Sequence, residues 1–146
     1  MSPKLMSLLL GGAAPAVLFG LASFFQKVST KAGIGNGPFL IGTGLTTLAV
    51  GVVCFLIDRD STVNARSAVY TIIYATSWSV AIACIAVAIR RYNGQISQLV
   101  PLYNMNTLVA VILGLVFLAE WRTVNPGRLL LASALIIAGG ILAASS

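Results

Sequence analysis

The chain has 146 residues, of which 58% are hydrophobic and 8% are charged, and its net charge is +6. A soluble domain carries about 25% charged residues to solvate its surface, so this composition excludes a water-soluble globule. The nine Lys and Arg residues lie singly or in pairs between apolar stretches, which excludes the basic patch of a nucleic-acid-binding protein. We therefore expect an integral membrane protein with lipid as its outer solvent.

Charged residues divide the sequence into five uncharged segments, each able to supply the roughly 17 to 25 apolar residues of a membrane-spanning helix. These segments are residues 5–26, 32–57, 67–89, 92–119 and 129–146. The stretches between them are rich in Gly, Pro, Asn and Asp, which interrupt helices. Strands in lipid need the alternating pattern of a closed barrel, which this sequence lacks. It predicts an all-α membrane protein, a single domain over residues 1–146 that forms a bundle of about five transmembrane helices.

The first segment stays apolar from Leu5 to Phe25. That run is longer than the hydrophobic part of a typical signal peptide, so we interpret it as an uncleaved first membrane helix. Gln26 and Lys27 follow at its end, and the Lys27 side chain is expected to extend to the lipid headgroups.

Aromatic residues recur every four positions in the third segment, at Tyr70, Tyr74 and Trp78, and therefore share one helical face with Ser77 beside them. Tyr70 is nearest the helix end and fits an aromatic belt at the membrane interface. Deeper aromatic rings with polar tips suit a solute cavity, so we predict that Tyr74, Ser77 and Trp78 bind substrate. Helix packing is the alternative for these three residues.

Polar side chains surround a proline in the fourth segment. Pro101 removes a backbone hydrogen bond, which should bend the helix and free a carbonyl group near residue 97. Amides are costly in lipid and must face protein or a water-filled cavity. We predict a substrate site here, and hydrogen bonding between helices is the alternative. Its residues are Ser97, Gln98, Pro101, Tyr103, Asn104 and Asn106.

No Asp, Glu, Lys or Arg lies near the middle of any segment, the chain has no His, and Cys54 and Cys84 lie in apolar sequence. Such a chain offers neither a metal-ligand cluster nor a catalytic constellation. We therefore predict no catalytic residue, no metal, no cofactor and no enzymatic activity.

The order of these features resembles one EamA-like repeat of the drug/metabolite transporter superfamily. The resemblance is carried by Phe24-Phe-Gln-Lys27 at the end of the first helix, by Ile96-Ser-Gln-Leu-Val-Pro-Leu-Tyr-Asn104 running to Gly114-Leu-Val-Phe-Leu-Ala-Glu120, and by Ala138-Gly-Gly140. Typical members of this superfamily have two such five-helix repeats, inverted with respect to each other, around a central substrate cavity. This chain has one repeat, which would be half of a ten-helix inverted-repeat transporter.

The resemblance implies a half-size transporter or exporter in the bacterial inner membrane. The substrate site of an inverted-repeat transporter lies between its repeats, so alternating access would require a dimer. A site of amides and aromatic rings without a counter-ion favours small neutral or zwitterionic organic metabolites. The partner is expected to be a second copy of the chain or another membrane protein. A non-transporting structural or assembly subunit of a larger membrane complex is the alternative function.

Insertion direction is left open by the positively charged residues. Five Lys and Arg residues fall on the membrane face of the N-terminus and four fall on the other face, whereas a clear excess normally marks the cytoplasmic side. A homodimer with its copies inserted in opposite directions is therefore one expected arrangement. The five are Lys4, Arg59, Arg66, Arg122 and Arg128, and the four are Lys27, Lys31, Arg90 and Arg91.

Overall fold

The computed structural model of the chain describes residues 2–58 and 62–145, and helices make up nearly all of this part. The α-helices are α1 (Pro3–Leu8), α2 (Ala14–Lys31), α3 (Asn36–Asp58), α4 (Ala65–Tyr92), α5 (Ile96–Tyr103), α6 (Asn106–Phe117) and α7 (Pro126–Ala144). Five helical runs are long and apolar enough to cross a membrane, namely Leu5–Lys31, Asn36–Asp58, Ala65–Tyr92, Ile96–Phe117 and Pro126–Ala144. These runs confirm the prediction of an all-α membrane protein with about five membrane-spanning helices.

The first span contains a wider helical turn between α1 and α2. Residues Leu9–Ala13 form a π-helix, in which the N–H of Ala14 bonds to the carbonyl of Leu9. Pro15 follows in the first turn of α2, and a proline ring crowds the carbonyl four residues before it. A π-turn at this point gives the ring room, and such bulges are a known cause of bends in helices. The helix then continues to Lys31, five residues beyond the predicted uncharged segment.

The chain forms two compact units, Met1–Asn93 and Gly94–Ser146. In the first unit, α4 packs against both α2 and α3. In the second unit, α7 packs against both α5 and α6. The fourth and fifth spans thus belong to one unit, and the first three belong to the other.

Helix packing in the first unit is concentrated near the end of α2 and the end of α4. The buried side chains Ser23, Gln26, Ala86 and Ile89 all lie there. We call residues 23–43 and 82–93 the packed end. Outside it, α3 from residue 44 to residue 58 and α4 from residue 69 to residue 81 are exposed along their whole length. An apolar helix surface of this extent requires lipid or another protein around it.

Two hydrogen bonds between helical segments hold the packed end together. The Gln26 Nε2 group of α2 donates to the Ile82 carbonyl of α4 at 3.4 Å. The Arg90 Nη1 group donates to the Ile34 carbonyl in the loop before α3, also at 3.4 Å. The first bond joins α2 to α4, and the second, about two helical turns further along α4, joins α4 to the loop before α3.

Candidate solute site at a helix break

The fourth membrane span is interrupted close to its midpoint. α5 ends at Tyr103 and α6 begins at Asn106, within a span of 22 residues. The break lies about 12 Å from Ile96 along the helix axis, and the hydrocarbon core of a bilayer is about 30 Å thick. The fourth span thus consists of two α-helices joined within the span by a short 3₁₀-type turn, in which Asn104 and Met105 keep right-handed helical backbone angles.

A change in backbone hydrogen bonding produces the break. The N–H of Leu108 donates to the carbonyl of Met105, three residues back, whereas a continuous α-helix would direct it to Asn104. The Asn104 carbonyl instead accepts both the backbone N–H of Thr107 at 3.1 Å and the Thr107 hydroxyl at 2.8 Å. A side-chain hydroxyl of this kind competes with the helical hydrogen bond.

Pro101 lies within α5, three residues before the interruption. The sequence predicted a single fourth helix bent at this proline, so the position of the discontinuity differs from that expectation. Pro101 has no N–H for the carbonyl of Ser97, but α5 continues through it to Tyr103. The α-helical hydrogen-bond pattern changes at Asn104, whose carbonyl accepts from Thr107 and not from Leu108.

The polar residues predicted in this span lie on both sides of the break. Asn104 and Asn106 flank it directly and are exposed, and Ser97 is also exposed one helical turn before Pro101. Gln98, Pro101 and Tyr103 are half-buried. Irregular backbone at membrane depth is tolerated only where protein covers it or water lines it. The exposed amides at the break therefore require a covering protein surface or an aqueous cavity.

At Gly140, helix α7 packs against the end of α5 and the break. A Cβ atom at this position would lie 2.7 Å from the Pro101 carbonyl oxygen and 3.5 Å from the Met105 Cγ atom. Glycine is therefore required for the observed approach of α7 to α5. The neighbouring Gly139 has nothing within 4 Å of a Cβ atom. Sequence reasoning named both glycines only as part of a family resemblance and did not find this contact.

The aromatic part of the predicted site belongs to the first unit, on α4. Tyr74 is 68% exposed and Trp78 is 37% exposed. The Ser77 hydroxyl donates to the Ile73 carbonyl at 2.8 Å, so it satisfies its donor within its own helix. All three residues lie outside the packed end. The structure brings Tyr74, Ser77 and Trp78 onto one helix of the first unit and the six residues around Pro101 into the second unit.

Gln26 is a polar residue whose structural role the sequence did not indicate. It is 9% exposed and donates to the backbone of a different helix. An amide in an apolar helix is a common interhelical contact in membranes, and this general signal was the only one available. We assign Gln26 to helix packing and not to the solute site.

Amides, the Ser97 hydroxyl and the Tyr103 ring are therefore the chemistry that the candidate site in the second unit offers. Among the described residues, no group of three or more His, Cys, Asp or Glu side chains is placed to hold a metal ion. Comparisons of this chain with protein-family models, with curated proteins and with solved structures found no match.

Proposed function

We propose that this chain is a half-size transporter or exporter of small neutral or zwitterionic organic solutes, of the EamA-like type that its sequence resembles. It resides in the inner membrane of a bacterium and works as a dimer by alternating access. The observation that carries the proposal is the break in the fourth span, where Asn104 and Asn106 are exposed in the interior of the span and away from its ends.

The chemistry of the break supports an uncharged or zwitterionic substrate. Each carboxamide has two N–H donors and one carbonyl acceptor, so Asn104 and Asn106 can bind both a hydroxyl and a carboxylate or ammonium group. The sequence places no acidic or basic residue between Tyr92 and Ala119, so the break supplies no counter-ion for a net charge.

The exposure of the Asn104 and Asn106 side chains supports a dimer. Discontinuous helices in inverted-repeat transporters frame the substrate site near the bilayer midplane, where two repeats meet. By its resemblance to the drug/metabolite transporter superfamily, this chain corresponds to one of the two repeats. A second copy would cover the break and provide the other wall of the cavity, with water and solute between them.

An assembly subunit without transport activity is the second candidate. It is favoured by glycines along α3, since a Cβ atom at Gly44 or Gly51 would meet nothing within 4 Å. Small exposed residues of this kind allow close contact with another membrane helix. In such a subunit, the amides at the break would form a dry contact with a partner helix.

The rate at which introduced cysteines are chemically modified distinguishes a transporter from an assembly subunit. We would replace Cys54 and Cys84, both exposed, and introduce single cysteines at Asn104, at Asn106 and, as a control, at Ile112. Ile112 is an exposed apolar residue of the same span. A small polar thiol reagent is then applied to both faces of the membrane.

The proposed cavity predicts much faster modification at residues 104 and 106 than at residue 112, because the thiolate that reacts forms in water and not in lipid. Equally slow modification at all three positions would contradict the cavity and favour the assembly subunit.

A further inference from the structure

Positive charge is concentrated at the packed end of the first unit. Residues 23–43 and 82–93 include four basic residues and no acidic residue. The three acidic residues of the chain, Asp58, Asp60 and Glu120, all lie outside it. We call Lys27, Lys31, Arg90 and Arg91 the basic cluster.

Helix geometry brings the basic cluster together. The Gln26 to Ile82 hydrogen bond holds the last part of α2 beside the last part of α4, and by the same register the end of α4 extends about one turn beyond the end of α2. Lys27 and Lys31 are one turn apart on α2 and share a face. Arg90 and Arg91 are in the last turn of α4.

Arg90 anchors the cluster to the loop between α2 and α3. Its Nη1 atom donates to the Ile34 carbonyl and lies 3.3 Å from where a Cβ atom on Gly35 would be. Lys31 and Arg91 are exposed. Like charges at neighbouring helix ends repel each other, and an anion bound there would lower that repulsion.

The ends of membrane-spanning helices lie at the level of the lipid headgroups. Basic groups clustered there attract anionic lipids, and guanidinium and ammonium groups form charge-assisted hydrogen bonds with phosphate. We propose that the basic cluster binds the phosphate headgroup of an anionic phospholipid, with Lys31 and Arg91 as its principal contacts. This site is independent of the proposed transport function, because it lies wholly within the packed end.

Lipid binding to the purified full-length protein tests the proposal. The protein is kept in neutral detergent micelles, so that insertion direction plays no part, and is titrated with phosphatidylglycerol or with phosphatidylcholine. We expect preferential binding of phosphatidylglycerol. The double variant Lys31→Gln/Arg91→Gln should bind it about 30-fold more weakly, at about 1 kcal/mol for each basic residue near the headgroup.

Two control variants make the test specific. Arg66→Gln/Arg128→Gln removes the same charge outside the basic cluster and should retain the preference for phosphatidylglycerol. Lys31→Arg/Arg91→Lys keeps the charge within the cluster and should also retain the preference for phosphatidylglycerol. If Lys31→Gln/Arg91→Gln and Arg66→Gln/Arg128→Gln weaken phosphatidylglycerol binding equally, the proposal is overturned, because net charge alone would then explain the binding.

Inorganic phosphate distinguishes a lipid site from a site for a soluble phosphate. Added at millimolar concentration, it should leave most phosphatidylglycerol bound, because the acyl chains of the lipid pack on the helices below the headgroup. Complete displacement by inorganic phosphate would overturn the lipid assignment, as would equal binding of the two lipids by the unmodified protein.

Discussion

Gly140 shows how one side chain controls the packing at the helix break. Its missing methyl group lets α7 approach the Pro101 carbonyl to a distance that no other residue permits. Carbonyl oxygens in contact with Cα–H groups at helix interfaces contribute modestly to stability. The larger effect is steric, since the atom that a side chain would meet is rigid backbone.

We expect Gly140→Ala to lower the free energy of unfolding by about 1 to 3 kcal/mol, the usual effect of overpacking a tight contact. Gly139→Ala is the matched control, because its Cβ atom meets nothing within 4 Å. It should be neutral or stabilise the helix by up to about 1 kcal/mol. Unfolding of both variants in micelles, followed by circular dichroism, measures the difference. Equal stability of the two variants would show that α7 does not pack tightly against the Pro101 carbonyl at residue 140.

At the scale of the helices, the pairing of α2 with α4 depends on the Gln26 side chain. Its amide donates to the Ile82 carbonyl, within the most buried part of the first unit. Interhelical hydrogen bonds in membranes contribute about 0.6 kcal/mol on average. This bond therefore adjusts helix register more than it determines overall stability.

Replacing Gln26 with Leu should destabilise the protein by about 0.6 kcal/mol, because the shape is kept and one hydrogen bond is lost. Gln26→Glu should cost more at neutral pH, since it buries an ionised carboxylate against a carbonyl oxygen. The measurement is the unfolding free energy of both variants in the same detergent. A smaller loss in Gln26→Glu than in Gln26→Leu would show that the carboxylate is stabilised by water or by the neighbouring basic residues and does not lie against the Ile82 carbonyl.

The five spans were predictable from the sequence because apolar length between charges is a local property, and each predicted segment overlaps a span in the structure. The break at Asn104 and Met105 was not predictable in position, because it depends on competition between the Thr107 hydroxyl and the backbone. The Gly140 contact and the Gln26 hydrogen bond depend on which helices pair. Helix pairing is set by tertiary packing, which hydropathy does not encode.

At the scale of the whole molecule, the Lys and Arg residues do not select one insertion direction. Five against four in the predicted loops is a smaller difference than normally fixes orientation. If the second repeat of the proposed transporter is another copy of this chain, opposite insertion of the two copies would reproduce an inverted pair.

Opposite insertion predicts that a single position is accessible from both sides of the membrane. Val63 precedes α4 and is 77% exposed, so Val63→Cys in a background without Cys54 and Cys84 reports orientation. Impermeant thiol reagents should label it in comparable amounts from the two faces of intact membranes. Adding Lys residues beside it should shift all labelling to one face. Labelling of the original chain from one face alone would exclude the antiparallel dimer.

Solute flux through the purified protein is the measurement that tests the proposed transporter most directly. The protein is reconstituted into liposomes loaded with a defined mixture of neutral and zwitterionic metabolites, and the contents are followed over time by mass spectrometry. We predict that liposomes containing the unmodified protein release a subset of these solutes faster than identically loaded liposomes without protein. The variant Asn104→Leu/Asn106→Leu should assemble normally and lose that release, because removing a hydrogen-bonding partner costs about 1 to 3 kcal/mol in solute affinity. Retention of every solute to the same extent as in loaded liposomes without protein, or unchanged release by the double variant, would contradict transport through a cavity at the helix break.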